Sequence, residues 1–88
     1  MKSIIIEYDL CAPGRDYTSL YSAIKGYGTY AHITESTWFI KTDDSCPQVR
    51  DNLVAYIDTN DRLFVATLVG EAAWRNVICK NEFLKENL

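Results

Sequence analysis

Asp9 is the first residue of this chain placed to do chemistry. It closes the run Lys2-Ser-Ile-Ile-Ile-Glu-Tyr-Asp9 and stands just before Cys11-Ala-Pro-Gly14. An aspartate at the end of a rigid strand, facing a loop that admits water and substrate, suits a divalent cation such as magnesium. A single carboxylate holds magnesium weakly, so a second oxygen source is needed; a dimer would supply it by bringing two copies of Asp9 together. The competing reading makes Asp9 a turn residue that accepts backbone N–H bonds from the loop behind it. Pro13-Gly14-Arg15 offers a small anion site ahead of a helix, although three residues fall short of a phosphate-binding loop.

His32 is the single histidine. Its type suits a general base or a metal ligand, yet no serine or cysteine stands in a readable relation to it. Between Ala31 and Ile33 it reads as a strand residue. Asp43-Asp44 precede a helix start, where the dipole favours negative charge, and Asp58 and Asp61 flank a turn. Neither pair has the ligand ladder of a calcium loop, and both read as structural. The tyrosines and tryptophans are of the type that stacks on bases, but the cations are scattered rather than interleaved with them. Core and interface positions are the better assignment. Cys11, Cys46 and Cys79 lie far apart with no Cys-x-x-Cys pair, which argues against a cysteine zinc site and for three reduced thiols.

The elements that position these residues must come from a small chain. Its 88 residues leave room for one domain and one core. The apolar share of 48% and charged share of 24% exclude a disordered tail, a collagen-like repeat and a disulfide-dense scaffold. No apolar window is long enough to span a membrane. The opening stretch reaches Glu7 and Asp9 too early for a signal peptide, so a cytoplasmic location is expected. Nine basic against twelve acidic side chains give a net charge of −3, the wrong sign for tight nonspecific binding to nucleic acid.

Alternation places a strand over Lys2–Asp9, with Ile4, Ile6 and Tyr8 on one face. Asp16 caps a helix reaching about Tyr27, whose apolar stripe is Leu20, Ala23, Ile24 and Tyr27. Gly26 and Gly28 are the candidates for the left-handed residue that ends it. Two β-rich runs follow, Thr29–Thr34 and Thr37–Thr42; Trp38, Phe39 and Ile40 make the second apolar on both faces, as in a central strand. Ser45 and Gln48 have the spacing of a capping box for a second helix carrying Val49, Leu53, Tyr56 and Ile57. After a turn at Asp58-Thr-Asn-Asp61, a strand runs from Arg62 to Val69 and stops at Gly70. The remainder, about 71–88, reads as a helical tail: Trp74, Val77 and Ile78 share a face, and Phe83, Leu84 and Leu88 continue the apolar stripe after a break near Asn81. The order β-α-β-β-α-β plus tail predicts a single α+β domain over 1–88, of the ferredoxin-like split βαβ type. Its second sheet face must be polar, covered by the tail or paired with a second subunit, and a homodimer over the sheet or its edge is expected.

Tyr8-Asp9-Leu10, Pro13-Gly-Arg-Asp-Tyr17, Glu35-Ser36-Thr-Trp38-Phe-Ile40, Asn60-Asp-Arg-Leu-Phe-Val65 and Ala73-Trp74 together resemble the small CRISPR-associated Cas-two proteins and their relatives. Those relatives include the virulence-associated protein D toxins and a SinR-like branch, to which the likeness is greatest. The resemblance implies a ferredoxin-like homodimer in which the aspartate ending the first strand meets its symmetry mate around magnesium. That position is Asp9 here, and Ser36 matches the serine before the third strand. The implied activity is a metal-dependent endoribonuclease of toxin or defence type, with Asp9 and Ser36 catalytic, Asp9 on the metal and Arg15 on the substrate backbone. In many members of that superfamily the dimer instead serves as a scaffold, which gives the alternative: a dimer that binds a protein or nucleic-acid partner without cutting it. The acidic charge and the single arginine after the first strand favour that alternative, while Asp9 and the resemblance favour the nuclease.

Overall fold

A computed structural model of the chain describes residues 1–11 and 16–88. The elements are β1 (Lys2–Asp9), α1 (Thr18–Lys25), β2 (Thr29–Thr34), β3 (Thr37–Thr42), α2 (Cys46–Val54), β4 (Arg62–Thr67) and α3 (Asn81–Asn87). They form a small α+β domain with a four-stranded sheet ordered β2-β3-β1-β4. Every neighbouring pair in it is antiparallel. The apolar run of β3 has the expected cause: the strand lies inside the sheet, between β2 and β1.

Alternation in β1 and β3 sorts the side chains by face. Ile4, Ile6 and Tyr8 share a core with Trp38 and Ile40, closed from above by Leu20 and Ile24 of α1 and by Val49 and Leu53 of α2. Helix α1 is shorter than the expected span. Its N-cap is Tyr17, and Asp16, one residue earlier, accepts the N–H and the hydroxyl of Thr18 at 2.9 and 2.8 Å. These bonds hold the Asp16 carboxyl below its usual range. Gly28 takes the left-handed conformation after this helix, with φ of 92°. The capping box of α2 forms as its spacing demands: Ser45 Oγ accepts the Gln48 N–H at 3.2 Å, and Gln48 Oε1 accepts the Ser45 N–H at 2.8 Å.

The tail departs from expectation. Only Asn81–Asn87 is helical, and residues 68–80 run as an irregular strap. The reason is local. Gly70 and Asn76 both take positive φ, 90° and 55°, which a continuous right-handed helix does not accept. The Ile78 N–H goes across to the Ile33 carbonyl at 2.9 Å instead of to a helical partner, so Trp74, Val77 and Ile78 share no helix face. The strap and α3 cover the second face of the sheet. Phe39, fully buried there, meets Phe83 edge-on at 5.7 Å, and Leu84 is buried beside it. Ser3 Oγ donates to the Asn87 carbonyl at 3.4 Å and fastens the far end. No helix among the described residues is long and apolar enough to cross a membrane.

Candidate functional site

Asp9 reaches its place because β1 ends there, beside the first residue of β4. The register sets Asp9 opposite Arg62, Glu7 opposite Phe64 on one side, and Glu7 opposite Thr37 on the other. The Arg62 guanidinium Nη1 stands 3.9 Å from Asp9 Oδ2, with the two side chains 75% and 65% exposed. An exposed pair at this separation contributes about 0–1 kcal/mol, so it orients the carboxylate without locking it. Cys11 lies against the same guanidinium: Arg62 Nη1 donates to its sulfur at 3.7 Å, and the thiol donates to the Asp9 carbonyl at 3.7 Å.

Ser36 and Asp9 line one open depression, together with Tyr8, Leu10, Tyr21 and Glu35. The hydroxyl of Ser36 is turned to Glu7, donating to Oε1 at 3.4 Å, and Thr37 Oγ1 donates to Glu7 Oε2 at 2.6 Å. Glu7 therefore binds down the start of β3, and the Ser36 carbonyl accepts the Tyr8 N–H at 3.1 Å. Arg15 lies outside the described residues, and so does the anion loop suggested by Pro13-Gly14.

Beneath this surface is an aromatic stack. Trp38 Nε1 donates to the Tyr8 hydroxyl at 2.9 Å, and that hydroxyl donates to the Glu35 carbonyl at 3.3 Å. Burial pushes the Tyr8 phenol up to about 12, so it stays protonated at neutral pH and serves as a structural donor. His32 lies flat on Trp38, with centroids 4.3 Å apart and planes 8° apart, and its Nε2 meets the Glu35 carbonyl at 3.0 Å. This is the strand placement expected for His32, held by the Trp38 ring and a backbone carbonyl.

The other acidic pairs serve the chain's own turns. The Asp61 carboxylate accepts the Cys11 N–H at 2.6 Å, the Asp58 N–H at 2.7 Å and the Tyr17 hydroxyl at 2.7 Å, tying three segments together. Asp43 stands 3.6 Å from the N-terminal ammonium, and Lys2 Nζ reaches the carbonyls of Asp43 and Asp44.

Magnesium at Asp9 is expected only with a second oxygen source, and the side chains around Asp9 in one chain do not supply it. Magnesium asks for near-octahedral oxygen coordination, while Asp9 has a guanidinium at its side and the neighbouring Glu7 is already engaged. No group of three His, Cys, Asp or Glu side chains converges among the described residues. Asp9 alone is a weak magnesium ligand, and a second copy is one source of the further oxygens such an ion takes.

Reading the sequence missed Arg62 and Glu7. Arg62 was one of several scattered cations, although an antiparallel β1–β4 pairing necessarily sets the start of one strand against the end of the other. Glu7 was visible only as an outward residue of β1. No protein-family model matches the chain, and no solved structure matches it.

Proposed function

We propose that this protein is a cytoplasmic, ferredoxin-like homodimer of the Cas-two and virulence-D kind that works as a noncatalytic interaction module for a protein partner. The element order and the sheet order β2-β3-β1-β4 support the ferredoxin-like reading. One observation carries the function: the Asp9 carboxylate is set beside Arg62, while the nearby Glu7 carboxylate is taken up by Ser36 and Thr37, so the residue best placed for metal chemistry has a built-in cation as its neighbour. The net charge of −3 points the same way, since a surface that tracks phosphates needs an excess of cations.

A second reading has its own support. Asp9 is 65% exposed and shares a depression with Ser36, as a magnesium-dependent endoribonuclease of toxin or defence type requires. Two chains would have to pool their Asp9 carboxylates, with Arg15 contributing to the substrate backbone.

A cleavage assay separates the two. Single- and double-stranded RNA and DNA are incubated with folded wild type and folded Asp9→Ala, in magnesium, manganese or EDTA. The interaction module predicts no cutting by either protein. Metal-dependent cutting that disappears in Asp9→Ala would overturn it in favour of the nuclease.

A further inference from the structure

We propose that two copies of this chain join along the outer edge of β4, fusing their sheets into one continuous sheet. This rests on the homodimer reading above and names the surface that makes it.

The two edges of the sheet are treated differently. The β2 edge is blunted: its register slips between His32 and Thr34, and the strap caps it through the Ile78-to-Ile33 hydrogen bond. Bulges and covering segments are the usual protection of an edge strand. Among the described residues the β4 edge shows no bulge and no paired segment. Its sequence, Arg-Leu-Phe-Val-Ala-Thr, holds no proline and no lysine, and its pairing with β1 runs without a register shift. No strand pairs with its outer side among the described residues.

The backbone shows which groups are available. The Leu68 N–H donates to the Ser3 carbonyl at 2.8 Å, just beyond the Ile4–Thr67 pair. In an antiparallel ladder the direction alternates, so Arg62, Phe64 and Ala66 turn their backbone groups towards β1. Leu63, Val65 and Thr67 turn theirs outward. A two-fold axis at Val65 uses all of them: Val65 faces Val65 of the second copy, and each Leu63 faces the other copy's Thr67, making about six hydrogen bonds.

The side chains agree with that register. Phe64, 63% exposed, falls opposite the small Ala66 of the second copy, which gives the ring the cover it lacks in one chain. Charge is compatible as well. The only charged residue of β4 is Arg62, at its start, and it falls opposite the uncharged Leu68 rather than against its own copy. Strand spacing and rise then put the two Asp9 residues about 25 Å apart, too far to share one metal ion.

The test is sedimentation equilibrium of the full chain, with circular dichroism as the check on folding, for wild type, Thr67→Pro and Phe64→Lys. Thr67 is exposed and its N–H points outward, so proline there removes an intermolecular donor and no intramolecular one. The expected result is a wild-type dimer and, for each variant, a dissociation constant raised at least about tenfold with an unchanged spectrum. A dimer that persists unweakened in both variants would overturn the β4 edge and leave the homodimer standing. Wild type that stays monomeric at about 100 µM would overturn both. Loss of fold in both variants would also overturn the edge, because a free edge tolerates either change.

Discussion

Replacing Tyr8 by phenylalanine removes one oxygen from the floor of the candidate site. That oxygen accepts the Trp38 indole N–H at 2.9 Å and donates to the Glu35 carbonyl at 3.3 Å, with the Tyr21 hydroxyl close by. The two losses are unequal. The Glu35 carbonyl has His32 Nε2 at 3.0 Å and lies near solvent, so it keeps a partner. Trp38 is only 4% exposed, and its N–H would lose the acceptor it has inside the aromatic stack. Stranding a buried donor costs about 1–3 kcal/mol, more than the net worth of the bond itself. In a domain of this size each kcal/mol moves Tm by roughly 4–8 °C.

Urea unfolding of wild type, Tyr8→Phe, Trp38→Phe and the double variant measures this. In the Trp38→Phe background there is no N–H to strand, so the cost of Tyr8→Phe should fall well below its cost alone. The coupling energy is the quantity of interest, since both single changes also disturb packing. A Tyr8→Phe cost below about 0.5 kcal/mol, or an equal cost in both backgrounds, would refute the assignment of Tyr8 as the acceptor that holds Trp38 in place.

The same hydroxyl predicts an alkaline limit. The folded phenol titrates near 12 against an ordinary 10.0, so its neutral form is the one folding favours. The associated stability is complete below pH 10.0 and is lost as pH rises towards 12; urea midpoints across that range should fall in wild type and fall less in Tyr8→Phe. Leu84→Ala, which hollows the contact between α3 and the second sheet face, should cost about 2–5 kcal/mol by chemical denaturation. A cost near zero would mean that α3 contributes nothing to the fold.

The strands were the legible part of this sequence. The bounds of β1, β2 and β3 follow from alternation closed off by turn residues, and α2 announces itself through Ser45 and Gln48. The strap was misread because Trp74, Val77 and Ile78 fall at helical spacing, a signal that says nothing of backbone sign. Asn76 at φ of 55° and the long-range bond from Ile78 to Ile33 exist only once the sheet is there to receive the chain. The site was half legible for a related reason. Asp9 stands out by its own position, but Arg62 gains meaning only from the register that pairs the end of β1 with the start of β4. Which of the foreseen options would close the second face also had to come from tertiary structure. The tail covers the β3 side of it, through Phe83 and Leu84, and leaves Phe64 on the β4 side exposed.

That closure narrows where a second chain can sit. With α1 and α2 on one face and the strap and α3 on the other, the described part of the sheet leaves open the Asp9 end of β1 and the outer edge of β4. They imply opposite ionic behaviour. Joining two chains at Asp9 gathers two copies each of Asp9 and Glu7 around only the paired Arg62 side chains, and like charges at contact oppose association unless a cation lies between them. Such a dimer should need magnesium and come apart in EDTA. Joining at β4 forms backbone hydrogen bonds and covers Phe64, with the aspartates far apart, so EDTA should leave it intact. Sedimentation of wild type with magnesium and with EDTA therefore distinguishes the two open regions before any variant is made. A dimer that dissolves in EDTA and reforms on adding magnesium would return the weight of evidence to the nuclease.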